Sequence, residues 1–262
     1  MRYDLDSLQP YQGLVTIDKN GDFDMIYAKV TDPLIISFLN TRKVLDHQPP
    51  INKLLLGSEA ARKFYRSLPL APNLSPEEYI PTRLLNLLRT LRNYFPRHRL
   101  LLSDFSSLPD TISGVNAPVV QTRFQNVTVP CTTLLVKQGY FDIFFPTDFE
   151  RLRDMYEFIL AQPRSLSGPS GDDLASARLT PLTSTASSFE TGSTFFSSYQ
   201  PSNRRRPVDG MTSASGLPIG ERKSSVFSHS QFLETYAELD KTRLRNGENP
   251  MLDFYKNVKF LF

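Results

Sequence analysis

The chain has 262 residues, enough for one large domain or two small ones. Its 30 basic residues against 27 acidic ones leave a formal charge of +3, so no global field singles out nucleic acid or an anionic membrane as partner. No apolar run approaches the roughly 20 residues needed to cross a bilayer, and a single cysteine, Cys131, excludes an intramolecular disulfide.

Taken in order, residues 14–17 and 23–30 carry β-formers on either side of Asp18-Lys19-Asn20-Gly21-Asp22, and the Asn-Gly pair predicts a β-hairpin. The opening residues, Met1-Arg2-Tyr3-Asp4-Leu5-Asp6, are acidic and have the character of neither a signal peptide nor a basic presequence. Asp32-Pro33 supplies a cap and a first-turn proline for a helix to about Lys43, with Leu34, Phe38 and Leu45 able to share a face. His47-Gln48-Pro49-Pro50 breaks it. Residues 52–67, rich in Leu, Ala, Arg and Lys, predict a second helix. After a proline-punctuated passage, Ser75-Pro76-Glu77-Glu78 reads as cap, proline and acidic first turn of a third. Leu84, Leu87, Leu88, Leu91 and Phe95 recur along it at helical spacing until Pro96 stops it.

Residues 100–103 follow almost at once and predict a central strand, buried on both faces; helix, short turn and strand make half a βαβ unit. Residues 119–124 and 132–136 predict two more strands. Thr147-Asp148 opens a helix to Ala161, with Leu152, Tyr156 and Ile159 as its stripe and Met155 and Phe158 widening it. From 163 to 227 Ser, Thr, Gly and Pro dominate and no period survives, which predicts disorder, with Arg204-Arg205-Arg206 as a short solvated run. Residues 229–243 return to helix, with Phe232, Leu233, Tyr236 and Leu239 on one side and Asn246-Gly247 as its αL cap. The apolar, aromatic stretch 252–262 predicts a terminal strand or helix docked on the sheet. The expected organisation is therefore 1–162 as one half-domain, 163–227 as a disordered insert, and 228–262 as the segment that closes the same domain.

For chemistry, the carboxylate Asp104 stands just past the apolar run Leu100-Leu101-Leu102, where side chains of an open α/β sheet leave the core and meet ligands. Pro109, Gly114, Asn116 and Pro118 make the loop after it. The three histidines, His47, His98 and His229, have no metal-ligand spacing, so no metal site is expected. Ser103-Asp104 with His98 lacks the G-x-S-x-G elbow of a serine hydrolase.

Between residues 99 and 149 the order of features is specific. An apolar strand ends in Asp104-Phe105; the pair Thr122-Arg123 follows, then Gly139-Tyr140-Phe141-Asp142-Ile143, then Asp148-Phe149 at a helix start. This order resembles the second half of the MidA-like methyltransferases, a family that includes the mitochondrial protein arginine methyltransferase assisting respiratory complex I assembly. Gln231-Phe232-Leu233, Asn249-Pro250-Met251 and Phe254-Tyr255-Lys256 are similar to the family's closing segment. The chain departs from the family in ending its strand Asp104-Phe105-Ser106 instead of Asp-Tyr-Gly, and in carrying Val120-Gln121-Thr122-Arg123 in place of Gly-Thr-Leu-Arg.

The resemblance implies an incomplete Rossmann-like α/β fold, the C-terminal half of a fungal-type member, with a helical insertion and a long disordered loop. It implies S-adenosyl-L-methionine as cofactor, protein arginine as acceptor, a subunit of complex I as partner and the mitochondrion as location. Asp104 and Asp142 are the candidate catalytic residues; Arg123 and Asp148 are candidates for substrate binding. Each has a structural alternative: Asp104 as a turn cap, Arg123 and Asp142 as an ion pair, Asp148 as a helix cap. Paired carboxylates would suit a guanidinium, which they hold bidentately. No cofactor-binding residue is found: Gly13, Gly21, Gly57, Gly114 and Gly139 are isolated and G-x-G does not occur. The resemblance places the family's Gly-rich loop and its acidic Asn-Glu motif before Met1, so the chain is expected to be the C-terminal portion of an enzyme, inactive alone. The rival expectation is a non-catalytic assembly protein derived from the same fold.

Overall fold

The computed structural model describes residues 1–95, 98–162 and 224–262 of a mixed α/β chain. They fall into two compact units. The first comprises Met1–Asn86 with Asp104–Leu152; the second comprises Leu87–Ser103 with the described part of Arg153–Phe262. Among the described residues no helix is long and apolar enough to cross a membrane.

The first unit opens with the predicted hairpin. Strand β2 (Pro10–Ile17) pairs antiparallel with β3 (Phe23–Lys29), and β1 (Arg2–Tyr3) pairs with the start of β2. The turn forms because Asp18 Oδ1 accepts from the amides of both Asn20 and Asp22 at 2.8 Å, while Gly21 takes φ +90°, a left-handed conformation that costs glycine little. Helix α1 (Pro33–Val44) starts where expected: Pro33 fills the first turn and Asp32 Oδ1 accepts from Leu34 N at 2.7 Å. The single helix expected over 52–67 is two, α2 (Lys53–Gly57) and α3 (Glu59–Ser67). Ser58 divides them in an extended conformation and turns its hydroxyl to cap Ala61 N at 3.2 Å.

The expected helix start at Ser75 does not form. Ser75 N donates to Tyr3 O at 2.8 Å, and its hydroxyl accepts from Tyr3 N at 2.9 Å. The amide of Glu78 goes to Met1 O, and Glu77 and Tyr79 bond to Val115. Long-range partners outbid the local cap, and helix α4 (Thr82–Tyr94) begins seven residues later than Ser75. Leu85 and Leu88 are its fully buried residues, whereas Leu87 and Phe95 from the expected stripe are exposed.

The other sheet of the first unit centres on β5 (Val119–Phe124), flanked by β6 (Val127–Cys131) and β7 (Asp142–Phe144), both antiparallel to it. The strand expected at 132–136 is replaced by β6, five residues earlier. Gln125 and Asn126, with φ of +48° and +63°, form a two-residue turn of the primed kind that the sequence hides, because neither residue is glycine. Ile112, Ala117 and Val120 are its buried core, with Cys131, Leu134 and Phe141 packed against them.

Strand β4 (Leu102–Phe105) contradicts the expected central strand. It starts two residues later than 100–103, and Leu101 is 54% exposed. The division between the units falls within β4, after Ser103, and the sheet order is β4, β9 (Val258–Leu261), β8 (Val226–Ser228), so the C-terminal strand takes the middle and β4 the edge. The edge position explains the exposure.

Helix α5 (Phe149–Ala161) buries Leu152, Met155, Tyr156 and Ile159 as its spacing predicts. Of the expected insert, 163–223 lies outside the described residues. Its last four residues are ordered: Ser224, Val226 and Phe227 are buried, and Ser224 Oγ donates to Glu157 Oε1 at 2.6 Å. The helix expected over 229–243 ends at Tyr236, with a separate 3-10 turn at Leu239–Lys241. Asn246-Gly247 therefore caps no helix; it closes a turn in which Leu244 N donates to Glu248 O at 2.8 Å. The closing stretch holds both expected kinds of element, a short helix (Pro250–Asp253) and then β9.

Candidate functional site

The sequence-predicted residues all lie in the first unit. Asp104 is exposed, and both of its carboxylate oxygens are held. Oδ1 accepts from Phe105 N and Oδ2 from Thr147 Oγ1, each at 2.8 Å. Thr147 N also donates to Phe105 O at 2.8 Å, so the end of β4 is clasped to the turn that opens α5. Asp148 is that helix's cap: its Oδ1 accepts from Arg151 N at 3.0 Å, and its Oδ2 lies 3.2 Å from Arg151 Nε. An acid here also suits the positive end of the helix dipole.

Asp142 stands opposite Gln121 across β5 and β7, and Arg123 lies two residues further along β5. They share a face of the sheet but are offset along the diagonal, a separation of roughly 7–8 Å between backbone positions. No ion pair between them is among those of the described residues, and both are exposed. The expected Arg123–Asp142 pair is therefore not formed.

A second carboxylate group was hidden in the supposed helix start. Glu77 accepts two phenols, Tyr27 Oη on Oε1 at 2.6 Å and Tyr79 Oη on Oε2 at 2.9 Å. Burial first, then the hydrogen bond and negative charge of Glu77, push both phenols well above the ordinary tyrosine range. Tyr79 packs its ring 5.9 Å from that of Phe145, two residues before Thr147. Glu77 and Asp104 are thus served by one stretch of backbone. Next to this group Glu78 is buried in an ion pair with Arg42 at 2.7 Å, and Arg42 also donates to Tyr3 Oη. None of Tyr27, Arg42, Glu77, Tyr79 or Thr147 is marked by the sequence as a functional residue; Glu77 and Thr147 read only as parts of helix starts. The acidic pair Glu77-Glu78 was the visible signal, and it is equally the signature of a helix start.

In the second unit both ring nitrogens of His98 are engaged, Nδ1 with Phe95 O at 2.6 Å and Nε2 with Tyr156 Oη at 2.9 Å. Burial pushes the Tyr156 phenol up to about 12. This arrangement leaves His98 no free nitrogen to serve as a general base. Among the described residues no group of His, Cys, Asp and Glu could hold a metal ion.

Chemically, Asp104 and Glu77 present carboxylates whose hydroxyl partners fix some oxygens and leave lone pairs free, an arrangement that can receive a guanidinium, and Asp142 adds an exposed carboxylate. A nucleotide-like cofactor needs different parts: a glycine-rich turn between a strand and a helix, and free helix-terminal amides. The joins from β3 to α1, from β7 to α5 and from β8 to the helix His229–Tyr236 contain no glycine. The described residues do not fit such a group.

A family model described as "Putative S-adenosyl-L-methionine-dependent methyltransferase" matches residues 15–163, more than half of the chain. No curated protein and no solved structure matches it.

Proposed function

The chain belongs to this family of S-adenosyl-L-methionine-dependent methyltransferases, and from that premise we propose that it is the acceptor-side, C-terminal portion of a mitochondrial protein arginine methyltransferase of the fungal type. Its substrate is a subunit of respiratory complex I, modified during assembly. The observation that carries the reading is Asp104. It is an exposed strand-end carboxylate whose Oδ2 is oriented by Thr147 Oγ1 at 2.8 Å. An arginine side chain must be held so that one nitrogen faces the methyl donor, and an oriented carboxylate does this by charge-assisted, paired hydrogen bonds. Asp142, exposed at the start of β7, offers a second carboxylate on the same unit. Asp148 and Arg123 have lesser parts: Asp148 builds the α5 terminus that carries Thr147, and Arg123 stays available to an acidic flank of the protein substrate.

The test is quantitative mass spectrometry of arginine methylation on complex I subunits, in cells with and without the gene. Deletion should remove methylation at a specific arginine. Wild-type protein should restore it, and Asp104→Asn should restore less than about a tenth. Unchanged methylation after deletion would end this reading. If complex I were depleted at the same time, the result would favour the second reading, a non-catalytic assembly protein on the same fold.

A further inference from the structure

We infer that the described residues do not build the cradle for S-adenosyl-L-methionine, and that polypeptide outside 1–262 holds the cofactor. The inference rests on the methyltransferase reading above. The amino-acid end of the cofactor carries a carboxylate, and a helix opening directly after a strand offers unpaired amides to such a group. Three described helices open in this way, and each has already given amides to an acceptor of its own chain. Asp32 takes Leu34 N at 2.7 Å ahead of α1. Asp148 takes Arg151 N at 3.0 Å ahead of α5. Ser228 takes Gln231 N at 3.2 Å, and Gln231 returns its side-chain oxygen to Ser228 N at 2.9 Å, a closed capping box.

The glycines give the same answer independently. A cradle needs backbone that a ligand can approach without meeting a Cβ. Among the chain's 12 glycines no two are separated by a single residue. Gly114 does provide a close approach, at φ +133°, but the space is filled: a Cβ there would sit 2.9 Å from the Tyr79 ring and 3.0 Å from Glu77 O. Gly21, Gly139 and Gly247 also take positive φ, yet each stands in open space and none joins a strand to a helix.

Isothermal titration of the purified 262-residue chain with S-adenosyl-L-methionine tests this, with circular dichroism recorded on the same sample. The expected result is no saturable heat up to millimolar cofactor and an unchanged unfolding temperature. A micromolar dissociation constant overturns the inference and leaves the methyltransferase reading standing. Photolabelling of the protein immunopurified from cells with tritiated cofactor gives a second readout. Label on any peptide within 1–262 overturns the inference, and label confined to other polypeptide supports it. Failure of the reading itself shows elsewhere, as unchanged arginine methylation after gene deletion.

Discussion

Arg42 and Glu78 meet at 2.7 Å with their side chains only 6% and 1% exposed. Arg42 sits on α1, and Glu78 on the extended passage that precedes α4. The guanidinium also donates to Tyr3 Oη and lies over the rings of Tyr3 and Phe38. One ion pair therefore ties the first strand, the first helix and the Glu77-Glu78 passage together. Glu78 Oε2 has no partner, so the carboxylate depends on Arg42 for its compensation.

Removing one member should therefore strand the other. Glu78→Gln and Arg42→Met are each expected to cost about 3–5 kcal/mol in urea unfolding, the usual penalty for an uncompensated buried charge. The double variant Arg42→Met with Glu78→Leu should cost markedly less than the sum. Full additivity in this cycle would mean that the pair is not coupled.

Gly114 should tolerate no side chain. Its φ of +133° and the 2.9 Å approach to the Tyr79 ring predict that Gly114→Ala loses roughly 1–3 kcal/mol and disturbs the Tyr79–Glu77 bond. Gly57, at the end of α2, is the control: its φ is ordinary, and a Cβ there would meet nothing within 4 Å. Gly57→Ala is expected to be neutral or slightly stabilising. Equal unfolding midpoints for the two variants would contradict the crowding.

The exposure of Leu101 makes a similar contrast with Leu88. Leu88 on α4 is 0% exposed, and Leu88→Ala should cost about 2–5 kcal/mol. Leu101 is 54% exposed, and Leu101→Ala should cost less than about 1 kcal/mol. A large loss at Leu101 would show that the strand is covered in solution by something outside the described residues.

These positions also mark how far the sequence could be read. Local signals worked where the chain satisfies itself nearby. Asp32-Pro33, the Asn20-Gly21 turn and the apolar stripe of α5 all lie where spacing and capping chemistry put them. The errors fall where a distant partner takes over. Ser75 was a sound cap by type, but Tyr3 and Val115 claimed the backbone around it. Leu100-Leu101-Leu102 had the composition of a buried strand, yet pairing set β9 in the middle of its sheet. The Gln125-Asn126 turn was invisible because the left-handed conformation is held by strand register and not by residue type. At the site, Asp104 and Asp148 were legible as strand-end and helix-start acids. The phenols around Glu77 were not, because Tyr27 and Glu77 are 50 residues apart.

Alkaline unfolding is the last test, and its sign follows from Tyr156. Burial raises this phenol from 10.0 to about 12 in the folded chain, where its hydroxyl lies 2.9 Å from His98 Nε2. Below pH 10 the phenol is protonated in both folded and unfolded chains, and its contribution is constant. Between pH 10 and about 12 the unfolded chain releases the proton while the folded chain keeps it. The folded state then binds more protons, so stability falls as pH rises through this window. Tyr156→Phe removes the titrating group. The unfolding free energy of wild type minus that of Tyr156→Phe should therefore hold level from pH 9 to about 10 and then fall steadily to pH 11.5. Tyr27 and Tyr79, raised by burial and by Glu77, titrate in both proteins and cancel in that difference. A gap that stays constant across the range would show that the Tyr156 phenol ionises as readily in the folded chain as in the unfolded one.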